Sequence, residues 1–237
     1  MTSVRIKQCF IQINLFCLFA SLITTVKCEP INASISLKIE GTGFHRNLMY
    51  DIHFDDFIED CYTALYLRLP SSLYADINEL DHLTRLGMST ACASGETNVE
   101  LFAEKAQTQD ITVCAPLTNT KCNVSIPVHH RYQYANGSQK YMHTTLPKPK
   151  LLLGCKQRIK EYRVSKLDLC VPCAEIMPKW REIPYAMATE YEWITPVGEE
   201  GMWPTVTYTT LLLTILGTLF LIRTICKSTP EQHSKRE

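Results

Sequence analysis

An excess of either charge is missing from this 237-residue chain, in which 24 Lys and Arg balance 24 Asp and Glu for a formal net charge of zero. Binding a polyanion through the field of the whole chain takes a basic surplus, so nucleic acid is excluded as a partner at that level. Internal repeats and low-complexity tracts are also lacking. So are a nucleophile elbow, a Gly-rich phosphate loop, an HExxH pair and the kinase motifs, the spacings that bring a nucleophile, a phosphate cradle or a metal to a reacting bond. The chain reads as non-catalytic, with no cofactor implied. Long apolar runs are scarce as well. There are two, and they set the topology.

In the first, Arg5 and Lys7 precede an apolar stretch from about Cys9 to Val26. Val26-Lys27-Cys28 then places small residues where a signal peptidase needs them, which predicts a signal peptide over 1–28 and a mature chain starting near Glu29. The second runs from Trp203 to Ile222 without a charge. At about 1.5 Å per residue it just crosses a bilayer core of about 30 Å, so a transmembrane helix is predicted over 203–222. Glu199 and Glu200 precede it, whereas Arg223, Lys227, Lys235 and Arg236 follow. That asymmetry predicts a single-pass type I protein with a cytosolic tail over 223–237. A lipid-anchor signal ends in its apolar segment; the charged residues after Ile222 argue that this helix is retained.

Residues 29–202 form the remainder, enough for one ordinary domain or two very small ones. Of eleven cysteines, Cys9, Cys17 and Cys28 belong to the leader and Cys226 follows the span. Cys61, Cys92, Cys114, Cys122, Cys155, Cys170 and Cys173 are the disulfide candidates of an oxidising lumen. Their odd number leaves at least one free or paired with another chain, and spacing does not choose the pairing. Sequons at Asn32, Asn123 and Asn136 are consistent with surface N-glycans.

Within this region Ile35, Leu37 and Ile39 alternate with polar residues, Gly41-Thr42-Gly43 interrupts, and Leu48, Tyr50, Ile52 and Phe54 alternate again. Thr63, Leu65, Leu67 and Leu69 give a further strand, and shorter runs fall at 99–103, 111–113, 124–128 and 159–164. One helix is predicted after Asp76, with Glu79 completing a capping box and Gly87 at the stop. Many short strands predict a mostly β, antiparallel sandwich-like luminal domain over 29–176. Residues 177–202, rich in Pro and aromatics, read as a juxtamembrane stalk, with Trp193 and Trp203 near the membrane interface.

Several clusters were weighed for chemistry. Cys170-Val171-Pro172-Cys173 has the spacing of thiol oxidoreductases but lacks their β-α-β surroundings, so two structural half-cystines are the better reading. His129 and His130 on a strand point to opposite faces and cannot share one ion, and no third ligand lies close in sequence. A contact role suits His45-Arg46, beside the Gly-rich connection. Lys156 to Lys166 reads as a solvated basic strand face, and Asp55, Asp56, Glu59 and Asp60 as a solvated turn. Thr210, Thr214 and Thr218 share one helical stripe, either a close-approach surface for another helix or threonines bonded back to their own carbonyls.

An ordered set of strings then carries a family resemblance: Gly43-Phe44-His45-Arg46-Asn47-Leu48, Leu69-Pro70-Ser71-Ser72-Leu73-Tyr74-Ala75-Asp76, and Ile126-Pro127-Val128-His129-His130-Arg131-Tyr132. Cys155, Cys173-Ala174, Trp180 and Pro196-Val197-Gly198 follow before the span. The set resembles the PIG-X family of phosphatidylinositol-glycan biosynthesis class X proteins over roughly 43–222. His130 stands where some members have cysteine, and Ile77 where some have proline. The resemblance implies a glycoprotein of the endoplasmic-reticulum membrane, a non-catalytic subunit stabilising PIG-M, the multi-spanning catalytic subunit of glycosylphosphatidylinositol (GPI) mannosyltransferase I. That enzyme adds the first mannose of the GPI core. Partner contacts are expected at Phe44, His45, Arg46, Pro127, His129, Arg131 and Tyr132, and at the threonine stripe. The rival reading is a single-span adhesion or receptor ectodomain at the cell surface.

Overall fold

The computed structural model describes residues 31–87, 89–137, 140–187 and 190–228. Its strands are β1 (Ala33–Glu40), β2 (His45–Phe54), β3 (Cys61–Leu69), β4 (Leu73–Tyr74), β5 (Thr90–Gly95), β6 (Gln109–Pro116), β7 (Lys121–His130), β8 (Tyr141–Thr145), β9 (Lys150–Cys155), β10 (Arg181–Glu182) and β11 (Glu192–Pro196). The helices are α1 (Ile77–Arg85), α2 (Cys173–Ile176) and α3 (Trp203–Ser228). The chain divides into two units, 31–133 with 143–195 and 134–142 with 196–228.

In the larger unit the predicted two-residue period becomes two inward-facing rows. One sheet has the order β1-β2-β7-β4 and the other β10-β9-β3-β6-β5, while β8 and β11 make a two-stranded ribbon. The pairings within the two larger sheets are antiparallel. Leu48, Tyr50, Ile52 and Phe54 of β2 and Val124, Ile126 and Val128 of β7 line the first sheet's inner face. They share one core cluster with Leu65, Leu67 and Leu69 of β3, Ile111 and Val113 of β6, and Leu151 and Leu153 of β9. The fold is thus the mostly β, antiparallel sandwich that the alternation predicts.

The second sheet is also covered on its outer face. Ala64, Tyr66, Cys114 and Leu152 pack there against Leu169, Cys173, Met177 and Trp180 of the segment that contains α2. Two disulfides staple this strap down, Cys92–Cys170 from β5 and Cys114–Cys173 from β6. A third, Cys61–Cys155, joins residues directly opposite on β3 and β9. Cys170 and Cys173 therefore belong to separate bridges and form no dithiol pair, while Cys122 is a buried free thiol. Gly154 of β9 lets the strap approach, since a Cβ there would lie 2.8 Å from the Met177 Cβ and 3.0 Å from the Trp180 ring.

Several local expectations are corrected. The described residues from 180 to 195 belong to the larger folded unit instead of a stalk: they contribute β10 and most of β11, and Ile183 and Trp193 join the core. Trp193 is 0% exposed, so it does not sit at a membrane interface. Residues 99–103 form turns and 159–164 is irregular apart from a bridge between Val164 and Arg181. α1 does start after Asp76, whose carboxylate accepts from the Asn78 N–H at 2.9 Å. Glu79, expected to complete the cap, instead turns its carboxylate to His129.

In the smaller unit, Asn136 N–H donates to the Gly198 carbonyl and Val197 N–H to that of Lys140. A 3-10 turn at Glu200–Met202 leads into α3, whose described side chains are almost all exposed. The stretch Glu200–Ser228 is long and apolar enough to cross a membrane, and the helix outlasts the apolar run to take in Arg223 and Lys227. The predicted signal peptide lies outside the described residues, as does the tail beyond Ser228.

Candidate functional site

The connection from β1 to β2 opens on Gly41, whose φ of 93° is readily held only by glycine. Its register with β7 places His45 opposite His129, and β4 places Tyr74 opposite His129 from the other side. The three residues thus stand in a row across β2, β7 and β4. The His45 and His129 rings stack 4.3 Å apart at 3°, and Tyr74 stacks on His129 at 5.0 Å. Because only two residues separate the end of β4 from the start of α1, the first turn of α1 carries Glu79 over the row. Glu79 Oε2 lies 2.9 Å from His129 Nε2 and 3.9 Å from His45 Nε2. Two imidazole nitrogens and a carboxylate oxygen, all within 4.8 Å of one another, converge there.

His130 projects to the opposite face, as strand alternation requires. Its Nδ1 meets the Arg131 carbonyl, which can only accept, so Nδ1 carries the proton. Nε2 then accepts from the Thr144 hydroxyl at 3.0 Å. Burial, with Arg46 adding repulsion, pushes the pKa of this imidazole down, against the pull of the bond to the Arg131 carbonyl. Arg46 closes the end of the inner row, its guanidinium 4.6 Å from the centre of the Trp193 ring and bonded to the Tyr191 hydroxyl. The Trp193 indole donates to the Gly43 carbonyl at 3.1 Å, fixing the Gly-rich connection over the core. Phe44 packs edge-on to His130 and tilts against Tyr132 at 5.1 Å.

The structure separates the predicted contact residues into exposed and internal ones. Tyr132 is 69% exposed, His45 is exposed, and Phe44 and Arg46 are partly so. Arg131, by contrast, is buried over the Tyr74 ring and donates to the carbonyls of Asn98 and Leu101. It anchors the 98–101 turn and offers no free contact. Pro127 is buried too. It lies beyond the two residues of β7 that pair with β4, where its missing N–H costs no ladder bond on that edge. Asn32, Asn123 and Asn136 are exposed. Burial pushes the Cys122 thiol up to about 11, so it stays protonated and a poor nucleophile.

The hydroxyls of Thr210, Thr214 and Thr218 donate to the carbonyls of Val206, Thr210 and Thr214 at 2.7, 2.8 and 2.8 Å. Their protons are used inside the helix, leaving a stripe of small shape. Sequence reasoning missed two residues of this cluster: Glu79 reads as a capping residue, and Tyr74 enters only within the Leu69 to Asp76 string of the family resemblance. Both join His129 through strand register, which local spacing does not encode. His45 and His129 were visible only as separate contact residues.

The PIG-X / PBN1 family model matches residues 41–226, which include the whole histidine row and the strap. The human protein named GPI alpha-1,4-mannosyltransferase I, stabilizing subunit, is 27% identical over 197 residues, covering 76% of this chain and 75% of the relative. The mouse protein of the same name is 25% identical over 198 residues, and the rat protein 24%, each covering 78% of both chains. With a match across most of its length and a β-sandwich followed by one membrane-length helix, the chain belongs to the PIG-X / PBN1 family.

Proposed function

We infer that this chain is the non-catalytic, stabilising subunit of a GPI mannosyltransferase I. The observation that carries this reading is the family match over 41–226, joined to relatives whose names state that role. On this reading the catalytic partner is the multi-spanning PIG-M, which adds the first mannose of the GPI core from dolichol-phosphate mannose. The leader directs the chain to the endoplasmic reticulum, α3 holds it in that membrane, and the sandwich faces the lumen. Three disulfides suit an oxidising compartment, and the sequon asparagines are open to modification. Binding alone suffices for the role, because a partner that binds only the folded form depletes the unfolded one by mass action.

The exposed Tyr132, tilted against Phe44, is the aromatic contact on the sandwich. The threonine stripe is the contact in the membrane, working by close approach of small side chains, since its hydroxyl protons are already engaged. Replacing Thr210, Thr214 and Thr218 together by leucine should weaken co-purification of the catalytic subunit; unchanged association removes the stripe from the interface. The decisive experiment deletes the gene and measures the catalytic subunit's abundance and surface GPI-anchored proteins. Both should fall and return with this chain, and normal levels of both would refute the reading. Glycans should remain sensitive to endoglycosidase H, whereas resistant glycans on the cell surface would favour an adhesion or receptor role.

A further inference from the structure

We propose that His45, His129 and Glu79 form a zinc-binding site that clamps the first turn of α1 to the adjoining ends of β2 and β7. The three donor atoms come from three separate elements and lie within 4.8 Å of one another. Tetrahedral zinc takes nitrogen and oxygen ligands at about 2.0–2.2 Å, which sets neighbouring donors about 3.4 Å apart. The His129–Glu79 separation of 2.9 Å is shorter than that and the His45–Glu79 separation of 3.9 Å is longer. Turning the half-exposed His45 ring out of its stack on His129 and shifting the Glu79 carboxylate bring the donors to the zinc spacing with no change of backbone register.

Proximity to Glu79 alone would be met by an ion pair with one histidine. The arrangement goes further, because strand register brings both Nε2 atoms within 3.9 Å of the same carboxylate oxygen, and the half-exposed His45 can turn out of its stack so that both lone pairs meet at one ion. Tyr74 backs the stack from the far side and fixes the plane of His129. Two imidazoles with one carboxylate favour zinc over calcium or magnesium, which prefer all-oxygen shells. His45 and Glu79 are partly open to solvent, with side chains 52% and 37% exposed, so an ion can enter and a water can complete the tetrahedron. The site does not depend on the proposed subunit role.

The test uses the purified full-length chain in detergent, stripped with chelator and titrated with zinc chloride against a fluorescent zinc indicator. The wild type should take up about one equivalent and melt at a higher temperature with zinc than without. His45→Asn and Glu79→Gln should each weaken zinc binding at least about tenfold and abolish the thermal shift. Cys122→Ser should bind as the wild type does. Far-ultraviolet circular dichroism of His45→Asn, a half-exposed position, verifies its fold independently of zinc. Failure of the wild type to compete with the indicator at micromolar zinc overturns the proposal. Wild-type binding by both His45→Asn and Glu79→Gln, or displacement of zinc by equimolar calcium, also overturns it.

Discussion

The outer faces of the two sheets solve the same problem in opposite ways. On β3, β6 and β9 the outward positions are apolar, and a strap from 167 to 180 covers them under two disulfides. On β2, β7 and β4 the corresponding face carries His45, His129 and Tyr74, with Glu79 above them and His45 exposed. An apolar face must be buried and so becomes structure; a face of stacked polar rings can stay open and remain available to a ligand. Side-chain chemistry at outward positions thus decides which half of the sandwich is scaffold and which carries a site.

The widest gap between the faces should come from the strap. Reducing or replacing Cys92–Cys170 and Cys114–Cys173, which span 78 and 59 residues, should cost about 2–5 kcal/mol per bridge in urea unfolding. If cleavage left the midpoint unmoved, the strap would not be part of the core. Next in size, Gly154→Ala forces a methyl into the Met177 and Trp180 contact and should cost about 1–3 kcal/mol, read by the same assay.

On the inner side of the first sheet, burial lowers the His130 pKa below its ordinary value near 6.5. Below that pH the unfolded chain takes up a proton that the folded chain refuses, so this contribution is intact above pH 6.5 and declines as pH falls toward the lowered folded value. The loss is at most about 1.4 kcal/mol per pH unit, and wild type should lose more than His130→Gln between pH 7 and 5.5. Equal losses would assign the acid sensitivity to other groups. Smallest of all, His45→Asn in zinc-free buffer should shift stability by under about 0.5 kcal/mol, as expected for an exposed position. A large shift would make the open face scaffold as well.

Much of the fold was legible because inner-face positions on β1, β2 and β7 alternate with solvent-facing ones. β9 escaped notice for the complementary reason: Leu151, Leu152 and Leu153 are buried on both faces, so no alternation marks them as a strand. Trp193 misled because an indole near a span has a common interfacial role, whereas here a core cavity and the Gly43 carbonyl claim it. Of the site, His45 and His129 were singled out as separate residues. Glu79 joined them only through register and the angle at which α1 leaves β4.

By itself the sequence determined fold class and the membrane-length helix: an uncharged apolar run from Trp203 to Ile222, cysteines suited to oxidation, and a two-residue period that demands a sheet with a buried face. These are local properties, written in composition and spacing. Tertiary structure alone decided that Cys61 pairs with Cys155, that Arg131 is internal while Tyr132 is exposed, and that His45, His129 and Glu79 meet. Each outcome depends on which strands become neighbours and in what register, and that follows from packing the whole core.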